Sequence, residues 1–216
     1  MRPTRRFVVT VVTQVIVDPD DPAFEAPAKP VGPYLSQEDA EARARDLGWS
    51  VAPHPDGRGW RRLVPSPTPL RVVQRDMIRQ GAARDSIVIA GGGGGVPICK
   101  DSNDQYVGVE AVIDKDLTSG ILATDVGADL LIILTAVDRV WLRFGEPDQQ
   151  GLGAVTMAEC QRYIDEGHFP AGSMGPKVRA IFEFLQRGGR RGLITSAERL
   201  AEAMDGQAGT HFVGRI

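Results

Sequence analysis

Five consecutive glycines, Gly91 to Gly95, follow directly on the aliphatic run Ser86-Ile-Val-Ile-Ala90. A short run rich in β-branched residues reads as a buried-type strand. Glycine loses more backbone entropy on folding than any other residue, so a simple turn does not account for five in a row. In open α/β sheets, ligands bind at the carboxyl ends of strands. Backbone N–H groups freed by glycines at such a place close on anions, phosphate above all. The run is not a Walker P-loop, since no Gly-Lys-Ser/Thr follows, and no helix opens on it as a dinucleotide fingerprint requires.

The rest of the chain keeps a strand–helix rhythm. Val8 to Val17 (VVTVVTQVIV) reads as one strand with a polar break at Thr13-Gln14. Helices are expected from Leu70 to Gln80, stopping at Gly81, and from Asp116 to Val126. Another starts at Thr156, where Thr156 and Glu159 form a capping box. Pro176 suits a first helical residue, with Val178, Ile181, Phe182 and Leu185 at i, i+3, i+4 and i+7 behind it. Ala197 to Met204 reads as a last helix, and Asp129–Leu134, Gly192–Thr195 and His211–Val213 as strands. This alternation predicts a layered α/β domain around a largely parallel sheet. Residues 18–34 break the rhythm with five prolines and read as an extended excursion. A short helix follows, from an N-cap at Ser36 with Asp39 behind it to a stop at Gly48. Trp49 to Val64 alternates poorly, so Gln14 to Pro65 is expected to form a small inserted subdomain.

Composition narrows the function. A chain of 216 residues makes one large domain, or one domain with an appendage. Its net charge, 25 − 28 = −3, points at neither nucleic acid nor an anionic membrane. The longest strictly aliphatic run, Leu130 to Leu134, is far too short to span a bilayer. The basic start, Met1 to Phe7, is followed by no small-residue cleavage site. Cys99 and Cys160 have neither metal spacing nor a disulfide framework, and His54, His168 and His211 are scattered. The expectation is a soluble, cytoplasmic protein that holds no metal of its own.

Four places could carry chemistry. The glycine run, Gly91, Gly92, Gly93 and Gly94 in particular, suits phosphate. Asp114-Lys115-Asp116 sets three charges between apolar residues at a helix start. There Asp116 serves either as an N-cap or as one jaw of a clamp that keeps Lys115 charged and oriented. The loop Gly172-Ser173-Met174-Gly175-Pro176 leads Lys177 into a first helical turn, where a cation opposes the dipole and an anion would resolve the conflict. Lys29 is the only lysine of the proline-rich excursion. Asp138, just past the strand ending at Leu134, is either a ribose or purine contact or a turn residue. Arg58, Arg61 and Arg62 with Trp60 are assigned a structural role. No base–nucleophile pair is visible. Lysines and N–H nests of this kind suit phosphoryl transfer, in which positioning and charge neutralisation supply most of the catalysis.

The stretches VVTQVIVDPDDPAF (11–24), KPVGPY (29–34), GRGWRRLVPSP (57–67), GGGGGVP (91–97), GVEAVIDKDL (108–117), LTAVDRV (134–140), FGEPDQQ (144–150) and GSMGPK (172–177) resemble carbamate kinase, of the amino acid kinase superfamily. The resemblance spans essentially the whole chain, from Val8 to Val213. It implies a three-layer α/β/α sandwich around a mostly parallel sheet, with a small protruding subdomain. The implied reaction is reversible phosphoryl transfer between ATP and carbamate, giving ADP and carbamoyl phosphate. Lys115 and Lys177 are implied to neutralise the transferring group, Asp116 to orient them, and Lys29 to close over the phosphate from the subdomain. Met174 with its loop, and the strand end from Leu134 through Thr135 to Asp138, are implied to form part of the nucleotide pocket. ATP/ADP with Mg²⁺, a homodimer and a setting in arginine metabolism come with the family.

Family members begin with a further segment carrying a first strand and two glycine-rich loops, for which these 216 residues have no counterpart. The expected organisation is therefore residues 1–13 as a remaining strand of the N-terminal lobe, 14–65 as the protruding subdomain and 66–216 as the kinase core. Losing donors to the transition state costs orders of magnitude each. The expectation is a carbamate kinase that is inactive alone or needs a companion N-terminal chain. The alternatives are a nucleotide-binding remnant with a regulatory role, and an enzyme with a rebuilt acceptor site.

Overall fold

The computed structural model describes residues 7–170 and 172–214. Met1 to Arg6, expected within the first strand's segment, and Ala171 of the loop before Lys177 lie outside the described residues. The aliphatic run at the start divides into two strands, β1 (Val8–Thr10) and β2 (Gln14–Val17), that enter different sheets. The polar break makes the division. The buried Thr13 hydroxyl donates to the Val11 carbonyl at 3.0 Å and accepts the Gly91 N–H at 2.8 Å. Gln14 donates its N–H to Gln74 Oε1, and Gln74 Nε2 donates back to Gln14 Oε1. The Thr13 hydroxyl and the facing glutamine amides thereby tie the crossing together.

A small antiparallel unit follows: β3 (Lys29–Leu35), α1 (Gln37–Leu47), β4 (Ser50–Pro53) and β5 (Trp60–Val64), with β5 between β3 and β4. Ser36 caps α1 by accepting the Asp39 N–H, and Gly48 ends it in the left-handed region at φ 66°. The arginines tie the unit together. Arg58 and Arg61 lie over the Tyr34 ring, Arg62 lies over Trp49, and Arg61 Nε donates to the Val31 carbonyl. The unit begins after β2, because Gln14–Val17 is hydrogen-bonded into the core sheet and not into this one.

The chain re-enters the core through β6 (Pro69–Val72), antiparallel to β2. The helix expected from Leu70 therefore begins only with α2 (Arg75–Ala83), and Leu70 to Val72 is strand. Gly81 does not stop that helix. A Cβ there would come within 3.1 Å of Val88, so the glycine lets the next strand, β7 (Ile87–Ile89), lie against α2. Past the glycine run come β8 (Val96–Lys100) and β9 (Tyr106–Gly108), completing a sheet ordered β6-β2-β8-β9. β1 and β7 form a separate parallel pair. Ile87 and Ile89 are 47% and 51% exposed, contrary to the buried strand their sequence suggested.

The C-terminal half is built from α3 (Lys115–Val126), β10 (Leu130–Leu134), the hairpin β11 (Trp141–Leu142) and β12 (Gln150–Gly151), and β13 (Ala154–Thr156). After these come α4 (Met157–Asp165), α5 (Met174–Gln186), β14 (Arg191–Thr195), α6 (Leu200–Met204) and β15 (Thr210–Val213). The capping box of Thr156 and Glu159 is present in both its halves. Pro176 is the third helical residue of α5, still within the turn whose N–H groups need no partner. The last helix begins at Leu200, three residues later than expected. The sheet runs β10-β14-β15-β13 and has two faces. Leu131, Ile133 and Ile194 pack with Val178, Ile181, Phe182 and Leu185 of α5 in the main core. Leu193, with Leu130 and Ile132 beside it, packs against Ala203 of α6 on the other face. Helices on both faces make this a layered α/β fold.

Candidate active site

Two helix N-termini are brought together by a close crossing. A Cβ on Gly120 of α3 would come within 2.8 Å of the Ala180 carbonyl of α5, so the glycine lets the backbones approach. Asp116 lies one turn before Gly120, and Lys177 lies one turn before Ala180. Their side chains meet: Lys177 Nζ donates to Asp116 Oδ2 at 2.6 Å, with both side chains largely buried. The anion that Lys177 needs in the first turn of α5 is thus first of all Asp116.

Asp114, not Asp116, caps α3. Its Oδ1 accepts the Asp116 N–H at 2.9 Å. Its Oδ2 accepts from Lys29 Nζ at 2.6 Å, reaching the root of the small sheet. Burial raises the Asp114 carboxyl, but the hydrogen bond and charge of Lys29, the Asp116 amide and the Lys115 charge outweigh it and hold the group below the usual carboxylate range. Lys115 is the first residue of α3, with its side chain exposed beside these pairs. The result is a row, Lys29–Asp114–α3 N-terminus–Asp116–Lys177, in which each carboxylate holds one lysine.

The glycine run packs against the same helix start. A Cβ on Gly94 would fall 2.1 Å from the Ile113 carbonyl, and Thr118 Oγ1 donates to the Gly94 carbonyl at 2.8 Å. Gly91 and Gly94 use their N–H groups internally, on Thr13 Oγ1 and on the Gly91 carbonyl. Gly92 and Gly93 have open space where a Cβ would stand.

A cleft of about 410 Å³ opens between the end of β10 and the start of α5. Thr135, Trp141, Phe144, Ser173, Met174 and Lys177 are among its walls. Lys177 is therefore both a cleft wall and a member of the charged row, which joins the two. The volume lies within the range of small-molecule sites. Asp138 is not part of the wall and accepts from Arg139 Nε at 3.1 Å. Gly175 is not part of the wall either, and donates its N–H to the carbonyl of Pro170, which is. Sequence reasoning singled out neither Trp141 and Phe144 nor Asp114 by itself. Asp114 had a legible signal, an aspartate immediately before a helix. A second signal was lysine usage: the chain holds four lysines, at 29, 100, 115 and 177, and three of them gather here.

Residues 27–196 match the amino acid kinase family. The chain belongs to that family. Within it the chain sits with the carbamate kinases. It is 49% identical to the carbamate kinase of Thermococcus kodakarensis over 212 residues, which are 98% of this chain and 67% of that protein. It is 47% identical to that of Pyrococcus furiosus, again over 98% of this chain and 67% of that one. A solved carbamate kinase from Giardia lamblia, bound to AMP-PNP, superposes with a TM-score of 0.85 at 40% identity, covering 97% of this chain and 66% of that one. The chain thus spans about two thirds of the length of the relatives it matches.

Proposed function

We propose that this chain carries the phosphoryl-transfer machinery of a carbamate kinase, moving a phosphoryl group between ATP and carbamate to give ADP and carbamoyl phosphate. The observation that carries the reading is the charged row at the N-terminus of α3, with a lysine at each end and Lys115 between them. Charge neutralisation and positioning are the main demands of phosphoryl transfer. Lys177, oriented by Asp116, and the exposed Lys115 supply the first; the N-terminal dipoles of α3 and α5 and the open Gly92–Gly93 segment add to it. The base of the nucleotide sits between Trp141, Phe144 and Met174 in the cleft, which directs its phosphates past Lys177 toward α3. Among the described residues no three His, Cys, Asp or Glu side chains gather as a metal site. Mg²⁺ comes with the nucleotide, bound to its phosphates.

The test is ATP formation from ADP, Mg²⁺ and carbamoyl phosphate, with Lys177→Ala as control. Loss of an electrostatic partner of the transition state costs roughly 10²–10³-fold in rate. ADP binding by calorimetry that is equal in both proteins and weaker than millimolar would sink the reading. A second reading, nucleotide binding without turnover, is favoured by the open apolar face of β1 and β7, where Val8, Ile87 and Ile89 are exposed. That face supports a working assembly in which further polypeptide covers these strands, whether a companion chain or a homodimer partner. ADP binding with no ATP formed selects this reading.

A further inference from the structure

Among the described residues, three polar contacts join the small sheet and its exit to the α3 side of the core. Arg62 approaches the fully exposed Glu110 at 3.9 Å, a distance and setting that contribute little. Val112 N donates to the Pro65 carbonyl at 2.9 Å. The third is the Lys29–Asp114 pair, part-buried and at 2.6 Å. Lys29 opens β3 directly opposite Val64, the last residue of β5, so its ammonium sits at the root of the sheet where the sheet meets the core.

We propose that Asp114 is a positioning residue for Lys29, one carboxylate that caps α3 with one oxygen and holds the small sheet down with the other. This deepens, and rests on, the phosphoryl-transfer reading. A phosphoryl group at the α3 N-terminus and Asp114 then compete for the same ammonium. Asp116 fixes Lys177 in one place, whereas Asp114 sets how readily Lys29 leaves for the anion. Capping and latching are separable by chemistry. Asparagine caps a helix as well as aspartate does, but it offers Lys29 no charge.

The experiment is amine acylation of the whole chain, read by peptide mass spectrometry at Lys29, with Lys100 as the internal reference. In Asp114→Asn, Lys29 acylation is expected to rise about three- to tenfold, as for loss of a partly screened charged hydrogen bond. Inorganic phosphate is expected to protect Lys29 at a severalfold lower concentration in the variant than in the parent. Amide exchange in the first turn of α3 stays unchanged in Asp114→Asn and speeds up in Asp114→Ala, which also shows that the Asn variant folds. Acylation of Lys29 at the parental rate in Asp114→Asn overturns the proposal and leaves Asp114 a helix cap alone. A rise in acylation with phosphate protecting no lysine in either protein overturns the competition and, with it, the phosphoryl-transfer reading. The latch would then stand without that reading.

Discussion

Two parallel strand pairs are treated differently by the fold. β10 and β14 pair in parallel over five residues, and β1 and β7 over three. β10, β1 and β7 are aliphatic apart from Thr10, whereas β14 (RGLIT) carries Leu193 and Ile194 as its aliphatic residues. The first pair has helices on both faces, and its Ile133, Leu193 and Ile194 are 5%, 1% and 0% exposed. The second is covered only in part: all three residues of β1 are exposed, and of β7 only Val88 is half-buried. Val88, and Val11 just past the end of β1, pack on the N-terminal core with Ile78 of α2, while Val8 and Val9 are 60% and 44% exposed, as are the two isoleucines of β7 to a similar degree. Parallel strands occur almost only where both faces are covered. An aliphatic run therefore says that a strand needs two covers, and says nothing about whether its own chain provides both.

The comparison is most sharply tested by matched substitutions. Ile194→Ala removes methylenes from a site with no room to relax and should cost about 2–5 kcal/mol. Ile89→Thr, on the open face, should fall within about 0.5 kcal/mol. Urea unfolding of both variants decides it. A cost at Ile89 equal to that at Ile194 would mean that the face is covered in the folded protein, and the contrast between the sheets would fail.

Next in size is the difference in protection. Amides of β10 and β14 should exchange only through near-global unfolding, whereas those of β1 and β7 open locally. An exchange contrast of roughly 10²-fold or more is expected, since 1.4 kcal/mol of opening energy is a factor of ten. A uniform rate across all four strands would break the comparison from the other side. The triple change Val8→Thr, Ile87→Thr and Ile89→Thr should lower the binding of an apolar dye and any self-association seen by light scattering, leaving the unfolding midpoint nearly unchanged.

These two halves also differ in how much the sequence reveals. In the C-terminal half the spacing of Val178, Ile181, Phe182 and Leu185 and the Thr156–Glu159 box are local signals, and the structure carries both. In the N-terminal half the local signals misled where a tertiary partner decided. Gly81 looked like a stop because its reason is a packing contact with Val88 of the following strand, which no local helix signal reports. Leu70 looked helical because its strand partner is β2, more than fifty residues away. The site divides in the same way. Lys115, Asp116 and Lys177 stand at helix starts and are legible from caps, charges and dipoles. The pairing of Asp114 with Lys29 spans 85 residues and leaves no local trace. Lysine scarcity could have flagged it, because arginine replaces lysine freely on a solvated surface but not where a compact, mobile ammonium is required.

The Asp114–Lys29 pair gives a smaller, pH-dependent effect. The Asp114 carboxyl is held below its ordinary value, so its contribution is fully present above the unfolded value of about 3.9 and is lost as pH falls through the lower folded one. Asp114→Asn should flatten that part of the acid limb of the stability curve while leaving stability near pH 7 reduced. An unchanged acid limb would mean that Lys29 is not paired in solution.

The smallest effect concerns the helix that joins the two halves. α3 sends Leu122 and Val126 to the N-terminal core and Ala123 to the main core, and between them stands Asp125. Its Oδ2 is buried without a hydrogen-bond partner among the described residues. Burial raises its carboxyl, only partly offset by the charges of Arg75 and Arg187. An acid in the last turn also faces the negative end of the helix dipole. A raised value in the folded state means that the charged form opposes folding, so the penalty is fully developed above the folded value and vanishes below the unfolded one. Asp125→Asn should therefore raise the melting temperature at pH 7 by about 1–2 °C, the scale of a favourable partly exposed substitution, and by nothing at pH 3. A gain that persists at pH 3 would place the effect in packing between the two cores and not in charge.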